Sequence, residues 1–216
     1  MDFPLILFFL VLAAVVIVFS FYFEQRRTKQ LGAIATELNL EFYENGNGRV
    51  MGFVQDFQLF SKGRNRRVKN LMQGQVKDAF VAIFDYRYVT GRGKHSHTYD
   101  QTVILLRSKQ LQVPKFSLHP ENFFHKMGNF LGYHDIDFAN YPEFSNRYLL
   151  RGENETLIHK AFHSEVIAFY ENSRGISTEA SDSRLIFYRA MSKVPPEEMH
   201  SFLSVGLKVL HLFARS

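Results

Sequence analysis

The sequence predicts an α+β protein, with an N-terminal transmembrane helix followed by a mainly antiparallel sheet and helices grouped toward the C-terminus. Three observations lead there. Residues 5–23 form a nearly unbroken apolar run, LILFFLVLAAVVIVFSFYF. Two alternating segments, Phe80–Tyr88 and Thr98–Arg107, flank a loop with two glycines, as the arms of a β-hairpin would. Past Pro120 the apolar spacing becomes helical, and strands early with helices late indicate α+β, not a parallel βαβ sheet.

The apolar run comes first. Nineteen helical residues at about 1.5 Å each span roughly 28 Å, close to the ~30 Å hydrocarbon core of a bilayer. A cleaved signal peptide is disfavoured because Met1-Asp2-Phe3-Pro4 carries no cation, the run is too long, and no small-x-small cleavage site follows. The flanks set the expected orientation. Only Asp2 is charged before the run, whereas Arg26, Arg27 and Lys29 follow it. Residues 1–4 are therefore expected outside and the C-terminal bulk in the cytoplasm, in a single-pass arrangement.

Residues 24–39 read as a juxtamembrane helix with Leu31, Ile34, Ala35 and Leu38 on one stripe and Asn39 as a left-handed stop. Residues 40–216 are expected to form one cytoplasmic α+β domain, since no repeat or low-complexity linker interrupts them. Within it, Leu40–Tyr43 reads as extended, Asn45–Gly48 as a turn, Phe57–Phe60 as a short strand, and Val76 as the start of a longer one. In the next strand Phe80, Ala82, Phe84, Tyr86 and Tyr88 form a core face. The opposite face begins apolar and ends in Asp85 and Arg87, as if emerging into water. A helix is expected from Pro120 to about Leu131 with Gly132 as its stop, then extended pieces at 135–138 and 145–152. Glu153–Asn172 reads as one amphipathic helix with Ile158, Ala161, Phe162, Val166 and Phe169 inward; Glu165 falls oddly within that stripe. A hairpin over Ile176–Ala190 turns at Ser181–Ser183. Pro195-Pro196 opens a closing helix with Met199, Phe202, Gly206, Leu210 and Phe213 inward.

Several of these stretches occur in a familiar order. FSNRYLLRGENETLIHKAFHSEVIAFYEN and DSRLIFYRA, with GFVQDFQLF, FDYRY, QTVILL and HPENFFHK upstream, resemble a family of uncharacterised bacterial single-pass membrane proteins with a cytoplasmic domain of unknown function. The resemblance spans roughly residues 30–213. It implies a bacterial inner-membrane setting and brings no catalytic motif, so no site residues follow from it.

The candidate chemistry rests on the residues themselves. With no cysteine, disulfides, thiolate metal sites and cysteine nucleophiles are excluded. The net charge of +5 is uneven, with fifteen Lys and Arg against nine Asp and Glu up to Lys109 and eleven against twelve beyond it. SKGRNRRVK concentrates Lys62, Arg64, Arg66, Arg67 and Lys69 in nine residues without an acid. On a membrane-anchored domain such cations are expected to face anionic lipid headgroups, with Arg92 and Lys94 of the hairpin loop joining them, at about 1 kcal/mol per cation held near the surface. The patch lacks the interleaved aromatics of a nucleic-acid surface. The loop YVTGRGKHSHTY is no P-loop, because His95 follows Gly93-Lys94 and a strand, not a helix, comes next. His95 and His97 share a face and could start a metal site with Asp85 or Asp100. His134, Asp135 and Asp137 could hold a divalent cation or do acid–base work. His159 and His163 have zincin spacing, but Lys160 stands where the Glu is required.

No constellation meets the spacing of a known chemistry. The sequence therefore reads as a membrane-anchored interaction module, without cofactor and probing an unidentified protein partner. The alternative is a metal-assisted hydrolase built on the His and Asp residues above.

Overall fold

The structure is a computed structural model that describes residues 3–121 and 135–215. The order is α1 (Phe3–Glu37), β1 (Glu41–Asn45), α2 (Asn47–Val54), α3 (Gln58–Ser61), β2 (Arg64–Val76), β3 (Ala79–Thr90), β4 (His97–Arg107) and β5 (Val113–Pro120). After the gap come α4 (Pro142–Arg147), β6 (Tyr148–Gly152), α5 (Glu155–Ala161), α6 (Ser164–Asn172), β7 (Ile176–Asp182), β8 (Arg184–Arg189) and α7 (Met199–Phe213). The strands form an eight-stranded sheet in the order β1-β2-β3-β4-β8-β7-β5-β6, with every pairing antiparallel. The α+β class and the position of the long apolar helix are as the sequence predicts.

Alternation on β3 builds two cores, one on each face of the sheet. Ala82, Phe84, Tyr86 and Tyr88 point one way, into a core closed by Val50 and Val54 of α2 and by Phe57, Leu59 and Phe60 around α3. Val81 and Ile83 point the other way, into a core covered by Leu31 and Ala35 of α1 and by Met199, Leu203 and Leu210 of α7. Burial on both faces explains why β3 and β4 are apolar almost throughout their inner halves.

Helix α1 is continuous from Phe3 to Glu37, with no break between the apolar run and the polar stretch that follows. It is one helix long and apolar enough to cross a membrane. Its two halves differ in packing. All the exposed large apolar side chains of the described residues, apart from Phe53, Leu157 and Met191, lie between Leu5 and Phe23. Leu31 and Ala35 instead are each 1% exposed against the sheet. The helix ends where Asn39 adopts φ 55°, the left-handed stop expected of it.

Several local expectations are corrected. Phe57–Phe60 is not a strand but the entry to the single-turn helix α3. The basic stretch, given no element from sequence, is extended. It forms the first half of β2, which reaches Val76 and turns at Lys77-Asp78, so Val76 ends a strand and does not begin one. Two irregularities in the β2–β3 register accommodate it, with Asn65 and Asn70 both at φ 52°. Strand β5 lies where the sequence offered no alternation, because it is buried on both faces as the partner of β6 and β7. Residues 135–138 are not a strand. Glu153–Asn172 is two helices broken at Phe162-His163, so His159 and His163 do not share one helix, and Glu165 is exposed. The helix expected over Pro120–Leu131 lies mostly outside the described residues, and Pro120 itself ends β5.

Candidate membrane-facing site

The site begins at the junction of α1 with the sheet. Arg27, four residues past Phe23, places its guanidinium fork on Asp85 of β3. Its Nε donates to Asp85 Oδ2 and its Nη2 to Oδ1, both at 2.8 Å, and Nη1 donates to the Val194 carbonyl at 2.8 Å. Asp85, 5% exposed, also accepts from Asn70 Nδ2 at 3.0 Å and from Thr102 Oγ1 at 2.9 Å. The β2 bulge is what allows this. Asn70 in its left-handed conformation turns toward α1, where its Oδ1 accepts from the Thr28 hydroxyl at 2.8 Å. Burial pushes the Asp85 carboxyl up, but the Arg27 hydrogen bonds and charge, helped by Asn70 and Lys193, outweigh it and leave its pKa below the ordinary value. Asp85 is thus a buried carboxylate made tolerable by a bidentate partner, not an acid emerging into water.

The clamp fixes the direction of the hairpin. Glu24 and Thr28 meet Lys69 and Asn70, whereas the later Leu40 meets Gly74, so α1 and β2 run in the same sense. The start of β2, the end of β3 and the start of β4 therefore lie at the end of the domain from which the apolar half of α1 leaves. At the tip, Gly91 at φ 69° and Gly93 at φ 54° permit the turn, and a Cβ on Gly91 would overlap the His95 carbonyl oxygen.

The seven cations expected to face lipid are not one patch. Arg92 and Lys94 are exposed at the tip. Arg64 ties the start of β2 to the tip, donating to the Gly91 carbonyl and to Ser96 Oγ. Arg66 folds back on the carbonyls of Ser61, Lys62 and Gly63 and shapes that loop. Arg67 and Lys69 lie on the α1 face of the sheet, in register with Arg87 and Asp85. Lys62 turns the other way. Its Nζ is buried near Glu179 on the α2–α3 face of the sheet, and burial, opposed by the Glu179 charge, lowers its pKa to about 8.

Glu179 was not singled out by sequence. It is 1% exposed on β7, where its carboxylate accepts from the Gln58 N–H at 2.5 Å, the Leu59 N–H at 3.1 Å and the Tyr188 hydroxyl at 3.0 Å. Burial raises its pKa despite these donors and Lys62. Nothing in STEAS distinguished it, because β7 is buried on both faces. Asp85 did leave a signal, an acid inside the apolar run FVAIFDYRY.

The metal candidates are dispersed. His95 and His97 are exposed, while Asp85 is held by Arg27, and Asp100 pairs with Arg87 at 2.8 Å. Asp135 pairs with Arg151 at 2.6 Å, Asp137 is exposed, and His134 lies outside the described residues. Among the described residues no group of three or more His, Asp or Glu could hold a metal ion.

Fold and junction together define a class, an α+β domain locked to the end of one long apolar helix. A solved structure of that shape is the crystal structure of the mycobacterial trehalose monomycolate transport factor A, TtfA. It aligns with 88% of this chain and 93% of its own at a TM-score of 0.63 and 11% identity. At that identity the likeness is one of fold. No protein-family model and no curated protein sequence matches the chain, so the family resemblance drawn from its motifs gains no support there.

Proposed function

We propose that this chain is a single-pass anchor carrying a non-catalytic interaction module, held against the cytoplasmic face of a bacterial inner membrane with its hairpin tip on anionic lipid. The observation that carries this reading is the Arg27–Asp85 clamp. From Arg27 back to Phe23 the helix covers about 6 Å, whereas the five strand residues from Asp85 to Thr90 cover about 16 Å. With α1 crossing a bilayer, the tip reaches headgroup depth even if the helix is tilted, and Arg92 and Lys94 meet the phosphates. The cations directly after the apolar run support a cytoplasmic domain. The fold of a mycobacterial trehalose monomycolate transport factor is compatible with a role beside a membrane, and a protein partner would complete the module.

The test uses the absence of cysteine in the chain. Full-length protein with Lys94→Cys or, as the far-side control, Lys208→Cys is labelled with a fluorophore and placed in nanodiscs whose lipid headgroups carry a quencher. Strong quenching at position 94 and none at 208 is expected, and it weakens when the anionic lipid is replaced by neutral lipid. Equal quenching at both positions, or none at 94, overturns the reading.

A further inference from the structure

We propose that the cleft between α1 and the sheet, walled by Arg67, Lys69, Arg87 and Lys193, binds the phosphate of one anionic lipid headgroup. The inference rests on the reading of the domain as membrane-facing and locates a discrete site within it.

The first argument is register. Arg67 and Arg87 are directly opposite on β2 and β3, on the face that carries Asp85 and α1. Like charges at opposed positions of an antiparallel pair repel. Arg87 is relieved by Asp100 at 2.8 Å. The Arg67 side chain is exposed and takes part in no hydrogen bond or ion pair among the described residues. A polar side chain would serve the strand better there, unless the position holds an anion.

The second argument is charge. Four cations line the cleft together with Glu24 and Asp100, while Asp85, also at its wall, is already neutralised by Arg27. Glu24 divides itself between Lys69 at 3.7 Å and Lys193 at 3.6 Å, and Asp100 between Arg87 at 2.8 Å and Lys193 at 3.8 Å. Two acids shared among four cations leave two positive charges uncompensated, enough to neutralise the single negative charge of a lipid phosphodiester. Guanidinium forks are well shaped for its oxygens.

Size and depth decide which phosphate. The cleft holds about 30 Å³, room for one or two oxygen-sized groups and not for a nucleotide or an acyl chain. Glu24 is the residue after Phe23, so the cleft lies where the apolar run ends, at the depth of the headgroups and not in bulk cytoplasm. A lipid phosphate reaches it already concentrated by the membrane; a soluble one does not.

The experiment follows lipid retention. Full-length chain in neutral phosphatidylcholine nanodiscs doped with phosphatidylglycerol is released into native mass spectrometry, and bound anionic lipid is counted. Arg67→Gln is expected to reduce retention by about tenfold, the scale of a lost charge-assisted hydrogen bond. Arg67→Lys recovers part of it, and a thermal melt equal to the parent's confirms an intact fold. Arg92→Gln with Lys94→Gln, at the tip, is expected to reduce retention less than Arg67→Gln does, and Lys208→Gln, on the far side, to leave it unchanged. Retention lost in the tip variant but kept in Arg67→Gln overturns the cleft while sparing the membrane-facing reading. Retention kept in both overturns the cleft as well. If the chain in detergent binds inorganic phosphate through Arg67 while phosphatidylglycerol retention is unaffected, the occupant is a soluble anion and the lipid assignment falls.

Discussion

Lys62 shows how residues of one type in one short stretch acquire different chemistry. Its neighbours Arg64 and Arg66 satisfy backbone carbonyls and Arg67 stays exposed, but Lys62 enters the core on the α2–α3 face beside Glu179. In SKGRNRRVK the five cations look equivalent, because the sequence does not say where the strand starts or how Asn65 bends it. The consequence can be measured. With its folded pKa at about 8, below the unfolded value, Lys62 is less protonated in the folded chain. Between about pH 8 and 10 the unfolded state then binds more protons, and stability rises with pH; below that window both states are protonated and the burial cost is felt in full. Denaturant unfolding of the parent is expected to show that rise and Lys62→Met to lack it. A rise of the same size in both would remove Lys62 as its source.

At the scale of elements, α1 is held to the sheet by one buried pair as well as by the apolar contacts of Leu31 and Ala35. The Arg27 side chain is 14% exposed and that of Asp85 5%. Removing the acid leaves a guanidinium buried without its counter-charge, and breaking such a pair costs about 3–5 kcal/mol. Asp85→Ala is therefore expected to lower unfolding stability by that order in detergent-solubilised full-length protein. Arg87→Ala, whose pair with Asp100 is 42% and 31% exposed, is expected to cost under about 1 kcal/mol. Equal losses in the two variants would mean that the clamp does not hold the helix. The elements themselves were unevenly legible. The β3–β4 and β7–β8 hairpins and α7 follow from alternation and helical spacing. Strand β5 and the break between α5 and α6 do not, since a strand buried on both faces loses its period and a break at Phe162-His163 carries no Gly or Pro to mark it.

Over the whole molecule, α1 belongs to two environments, and where they divide is testable. A chain beginning at Glu24 keeps Arg27, Leu31 and Ala35 and sheds only the exposed apolar run, so it is expected to stay folded and soluble. One beginning at Glu41 exposes Met72, Val81, Ile83 and Asp85 to water and is expected to aggregate, as judged by size-exclusion chromatography and circular dichroism. A soluble, fully folded chain from Glu41 would show that the docked half of α1 is dispensable. The sequence by itself determined the long apolar helix, its charged flank, the α+β class and the main hairpins, because each is written in a local period or a composition. Only the tertiary structure decided that Asp85 locks α1 to the sheet, that Lys62 leaves the basic group for the core, and that Arg67 and Arg87 stand opposed beside the helix. Those facts depend on strand register and on two bulges. A one-residue slip in register would send every one of these side chains to the other face.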